Sequence, residues 1–94
     1  MTPSLLMIED DVRLARMVAE YLGQSGYAVS HAPDATQGLA ALRGAGEQPG
    51  TAPHAQAMPA LVILDLMLPD MDGLEVCRRI RALPGVPGRV PLLM

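Results

Sequence analysis

The 94-residue chain has no lysine, no tryptophan and no phenylalanine. Its seven basic residues are all arginine, and its only aromatics are Tyr21 and Tyr27. The core must therefore be aliphatic, filled by Leu, Val, Ile, Ala and Met. A single cysteine, Cys77, excludes an internal disulfide framework and a zinc cluster of cysteines. Ten acids outnumber the arginines, giving a net charge of −3 and a pI near 5.1. That balance excludes nucleic acid or an anionic membrane surface as a partner of this segment by itself. No apolar run approaches the ~20 residues of a membrane span. The apolar stretch at 5–8 is too short for a signal peptide and is followed by acids, so the chain reads as cytoplasmic. What is present, 50% hydrophobic and 18% charged residues, suits one globular domain with its own core.

Short apolar runs alternate with segments of helical period, the pattern of a parallel α/β sheet. Residues 4–8 read as a first strand buried on both faces. Asp11 occupies a helix N-cap position, followed by Leu14, Val18 and Leu22 at helical spacing, with Met17 and Tyr21 widening the stripe. Gly23 and Gly26 end that helix. Residues 27–32 alternate as a second strand, and Asp34 caps a helix carrying Ala35, Leu39 and Leu42. Residues 43–58 lack an apolar period and read as a flexible surface loop. Leu61-Val-Ile-Leu is a buried strand that delivers Asp65 at its carboxyl end. A turn over 69–73 precedes a stripe of Leu74, Cys77, Ile80 and Leu83, with Arg78, Arg79 and Arg81 on the wet side. Residues 90–94 begin a fourth strand. Cys77 reads as a small hydrophobe on its stripe, and neither His31 nor His54 has a metal-ligand companion.

Seven of the ten acids fall in two clusters: Glu9, Asp10 and Asp11, then Asp65, Asp70, Asp72 and Glu75. Both begin where an apolar strand ends. Parallel strands put those ends on one edge, where ligands of such sheets bind. If strands one and three are neighbours, Glu9, Asp10 and Asp65 converge. Carboxylates ~4 Å apart repel by about 4 kcal/mol at an effective dielectric of ~20. A hard divalent ion, Mg²⁺ above all, offsets that charge, and a free oxygen of Asp65 beside it suits phosphoryl transfer. The plainer alternatives are a macrodipole effect for residues 9–11 and a loop cap for Asp65. Asp70-Met-Asp72-Gly73 lacks the spacing of an EF-hand loop, so these acids read as turn and helix-start residues.

Two motifs carry a family resemblance. Leu5-Leu-Met-Ile-Glu9-Asp10-Asp11 resembles the first-strand motif of the receiver domain of bacterial two-component response regulators. The run Leu61-Val-Ile-Leu-Asp65-Leu-Met67-Leu-Pro69-Asp-Met-Asp72-Gly73 resembles that family's phosphorylation motif, and the likeness spans Ser4 to Met94. The resemblance implies a doubly wound, flavodoxin-like fold of strand order 2-1-3-4-5. It implies that Asp65 accepts phosphate from a histidine kinase or phosphotransfer protein. Asp10, Glu9, Asp65 and the Met67 carbonyl would hold Mg²⁺, with Pro69 and Gly73 shaping the adjoining loop. The Met67 side chain cannot orient an attacking water, which implies slow autodephosphorylation. The resemblance implies a phosphoacceptor domain and not an enzyme, with autophosphorylation from a donor and autodephosphorylation as its only reactions.

The family's Ser/Thr after strand four and lysine after strand five have no counterpart here. Residues 1–94 therefore read as a single partial receiver domain, lacking the last strand and last helices. An exposed fourth strand and a bare sheet face imply association, including a homodimer. DNA contact would come through a missing output domain. The rival readings are a degenerate receiver that serves only in docking or dimerisation, and a haloacid-dehalogenase-type phosphatase. The second wants an aspartate where Met67 stands.

Overall fold

The computed structural model describes residues 2–47 and 58–94. Strands β1 (Ser4–Ile8), β2 (Ala28–Ala32), β3 (Leu61–Leu64) and β4 (Leu92–Leu93) form a parallel sheet in the order β2-β1-β3-β4. Helices α1 (Val12–Gln24), α2 (Ala35–Glu47) and α3 (Gly73–Arg81) connect them, and a 3-10 turn, Val86–Arg89, leads into β4. The four strands fill the first four places of the expected order. The fifth strand has no counterpart among the described residues.

The main core lies on the face where Leu6 and Ile8 of β1 and Val62 and Leu64 of β3 meet the two later helices. Ala35, Leu39 and Leu42 of α2 and Val76 and Ile80 of α3 complete it. Alternation sends Leu5 and Met7 to the opposite face, where both are also buried. β1 is thus buried on both faces, as its sequence predicts. β3 is not: Val62 and Leu64 are buried, whereas Leu61 and Ile63 are half-buried.

The helix starts follow their side-chain caps. Asp11, in extended conformation, accepts a hydrogen bond from the Leu14 amide at 3.0 Å, and Asp72 accepts one from the Glu75 amide at 2.9 Å. Gly26, with φ at 95°, makes the left-handed turn from α1 into β2.

Three sequence expectations need correction. Helix α2 continues to Glu47, into the stretch 43–58 expected to be loop. No proline falls between Pro33 and Pro49, so nothing stops the helix sterically, and Arg43, Ala45 and Glu47 extend it despite Gly44 and Gly46. Residues 48–57 of the expected loop, including His54, lie outside the described residues, and Met58 at its end packs half-buried against the core. On α1 the fully buried residue is Ala15, with Val18 and Leu22 half-buried. Leu14, Met17 and Tyr21 are exposed. The small side chain permits the close approach, and the rest of a wide apolar arc lies beside the contact. On α3 the buried line is Gly73, Val76 and Ile80, while Leu74 is one residue round the helix and exposed. Cys77 packs at the edge of the core as a half-buried side chain.

Candidate functional site

Sheet register builds the site. Ile8 pairs with Ala32 on one side and Leu64 on the other. Just past these pairs, the Glu9 amide donates to the Ala32 carbonyl at 3.0 Å, and the Asp65 amide donates to the Ile8 carbonyl at 3.0 Å. Glu9 and Asp65 therefore leave adjacent strands at one level, and Asp10 follows before α1 begins. One carboxylate oxygen from each of Glu9, Asp10 and Asp65 lies within 4.8 Å of the others. Asp11, next in line, turns away to cap α1.

The cluster carries an electrostatic penalty. Two full negative charges 4.8 Å apart repel by about 1 kcal/mol in water and about 3 kcal/mol at a dielectric of ~20. The Glu9 carboxyl responds, holding its proton above the usual carboxylate range. Partial burial is the main cause, and hydrogen bonding with Asp10 and Asp65, together with the charge of Asp65, adds to it. The Asp11 amide, donating to Glu9 Oε2 at 3.1 Å, opposes the shift. Three hard oxygen donors, two half-buried and one exposed, form a donor set suited to a small divalent cation that keeps some of its waters.

The loop after β3 sets the orientation of Asp65. Its Oδ1 accepts the Met67 amide at 3.2 Å, while the Met67 side chain is 81% exposed. Gly73 closes the loop, its amide donating to the Leu66 carbonyl at 2.8 Å. A Cβ at Gly73 would stand 2.7 Å from Leu66 Cα and 2.9 Å from the Asp65 carbonyl oxygen. Only glycine lets α3 start this close to the Asp65 backbone. Pro69 is exposed in the bend between these contacts.

Two site neighbours escaped the sequence reading. Asp70, read as a turn residue, instead reaches across to α2. It accepts the Ala35 amide at 3.0 Å, the Thr36 amide at 3.0 Å and the Thr36 hydroxyl at 2.8 Å. His31, on β2, bonds through Nε2 to the Glu9 carbonyl at 2.6 Å. No local signal gives either contact, because each joins segments far apart in sequence. Arg81 is exposed, as its place on the wet side predicts, yet it also donates to the carbonyls of Gly88 at 3.1 Å and Val90 at 2.6 Å. Arg78 and Arg79 remain at the surface, paired with Glu75.

The family model of the response regulator receiver domain matches residues 5–94. The DNA-binding response regulator MtrA of Mycobacterium tuberculosis is 39% identical over 87 residues, which are 93% of this chain and 33% of that protein. The transcriptional regulatory protein AfsQ1 of Streptomyces coelicolor is 39% identical over 85 residues, 90% of this chain and 32% of that protein. The chain thus spans about a third of the length of the curated relatives it matches. Among solved structures, the chemotaxis response regulator CheY4 of Vibrio cholerae superposes with a TM-score of 0.79. It covers 100% of this chain and 68% of that one at 24% identity, a likeness of fold alone.

Proposed function

The chain belongs to the response regulator receiver domain family, and from that premise we propose that Asp65 is its phosphoacceptor. The convergence of Glu9, Asp10 and Asp65 at the carboxyl ends of β1 and β3 carries this reading. Asp10, Glu9, Asp65 and the Met67 carbonyl would hold Mg²⁺, which would supply the charge that lets an anionic phosphoryl group approach three carboxylates. The Met67 amide fixes one Asp65 oxygen, which leaves the other to attack phosphorus. With a phosphohistidine donor on a histidine kinase or phosphotransfer protein, the O–P bond forms as the P–N bond breaks. The departing imidazole keeps the electron pair and takes up a proton.

Asp65 then carries an acyl phosphate that water must hydrolyse. The exposed Met67 side chain has no group to orient that water, so autodephosphorylation is slow. DNA binding, the property in the name of MtrA, belongs in this reading to a further segment of a longer protein. No described helix is long and apolar enough to cross a membrane.

The test is incubation with acetyl phosphate and Mg²⁺, followed by peptide mass mapping. A single phosphoryl increment on Asp65, lost in Asp65→Asn and in Asp10→Ala, is the expected result. An unlabelled Asp65 in both this chain and a longer natural protein would end the proposal. A second reading, self-association as a docking module, is favoured by Leu14, Met17 and Tyr21, exposed along α1. Sedimentation that stays monomeric at high concentration would remove it.

A further inference from the structure

We propose that Asp70 is a positioning residue for the Asp65 loop, which it locks to the amino end of α2. The inference rests on the reading of Asp65 as phosphoacceptor. Helix α2 has its own cap: Asp34 Oδ1 accepts the Gln37 amide at 2.8 Å, and the Asp34 carbonyl accepts the Gly38 amide at 3.1 Å. Asp70, 34 and 35 residues away, takes the two amides that Asp34 leaves, together with the Thr36 hydroxyl. Both of its oxygens are engaged, so the contact fixes the direction of the side chain as well as its reach.

The loop is consequently tied at three points. The Met67 amide binds Asp65 at its start, Asp70 binds α2 at its middle, and the Gly73 amide binds Leu66 at its end. The first and last ties lie within the loop and cannot set its position relative to the sheet. The Asp70 tie can, because α2 follows β2, and β2 holds β1 in register beside Glu9. The same hydrogen bonds hold the Asp70 carboxyl below the usual carboxylate range, so it remains an anionic acceptor at neutral pH.

The test combines amide hydrogen exchange with Asp65 labelling in Asp70→Asn, Asp70→Ala and Thr36→Val, each rate referred to the folded fraction from circular dichroism. Asp70→Ala should speed exchange of the Met67 and Gly73 amides by about tenfold, the scale of a lost charge-assisted hydrogen bond. It should slow labelling by acetyl phosphate at saturating Mg²⁺ by at least about tenfold, since an ångström of misplacement costs up to a hundredfold. Asp70→Asn should fall between Asp70→Ala and the parent. Thr36→Val, nearly isosteric and outside the loop, should move the same loop amides in the same direction even if Asp70→Ala unfolds. Faster exchange confined to α2, with Met67 and Gly73 unchanged, would reduce Asp70 to a helix cap and overturn the proposal. Unchanged labelling with freed loop amides would overturn it too. Failure of the parent chain to label would remove only the phosphoacceptor reading, since exchange is measured without a phosphoryl donor.

Discussion

Replacing Gly73 with alanine tests how tightly α3 is packed against the Asp65 loop. The backbone of Gly73 is not left-handed, so alanine can adopt it, and helix propensity favours alanine by up to ~1 kcal/mol. Against this stand two contacts with backbone atoms, 2.7 Å to Leu66 Cα and 2.9 Å to the Asp65 carbonyl oxygen, neither of which can rotate away. Restoring the shorter one to the 3.4 Å of ordinary contact opens the loop by about 0.7 Å. Two clashes with immobile backbone place the cost in the upper part of the overpacking range, about 2–3 kcal/mol, so after ~1 kcal/mol of helix gain the net destabilisation is roughly 1–2 kcal/mol. For a domain of this size that lowers Tm by roughly 4–15 °C. Urea unfolding and cation titration, run side by side, should show lower stability and weaker binding. Gly23→Ala is the control, because nothing lies within 4 Å of its added Cβ. It should be neutral or stabilising by up to ~1 kcal/mol. A Gly73→Ala protein with parental stability and parental cation affinity would refute the close-packing argument.

Glu9 predicts a pH effect. Its folded carboxyl binds a proton more tightly than the unfolded one, so it adds stability below the ordinary value of 4.5. That contribution is lost as pH rises through the raised folded value. Glu9→Gln should therefore raise Tm at pH 7 in cation-free buffer and flatten the decline above pH 4.5; a lower Tm would contradict this. Mg²⁺ at ten times its Kd should stabilise the parent by about 1.4 kcal/mol in thermal melts, and Asp10→Ala should show no such gain. Met67→Asn or Met67→Glu should shorten the lifetime of phosphorylated Asp65, and an unchanged half-life would dismiss the role given to that side chain. Arg81→Met should lose about 1–3 kcal/mol in urea melts by stripping donors from the Gly88 and Val90 carbonyls; parental stability would show that water replaces it.

Much of this arrangement was legible where one local signal dominates. The run Leu61–Leu64 matches β3 to the residue, and Asp11 caps α1 from the position its spacing assigns. The convergence of Glu9, Asp10 and Asp65 followed from one topological condition, that β1 and β3 be neighbours, and they are. Periodicity identifies an apolar arc but not which part of it meets the sheet. Spacing therefore points to Leu14 and Leu74 for contacts that Ala15 and Val76 make. The partners of Asp70 and His31 depend on where separate segments come to rest, and no spacing rule reaches across 22 or 35 residues.

The pairing of β1 with β3 has a consequence for how correct folding can be recognised. Sliding one parallel strand by a single residue moves its end by about 3.3 Å and turns its side chains over. Asp65 would then leave the 4.8 Å gathering it shares with Glu9 and Asp10. A misaligned chain could bury a comparable amount of leucine and valine and still hold no magnesium. With Glu9, Asp10 and Asp65 holding the cation as proposed, its affinity would work as an alignment gauge for the two central strands, reporting an error that secondary-structure content alone would miss.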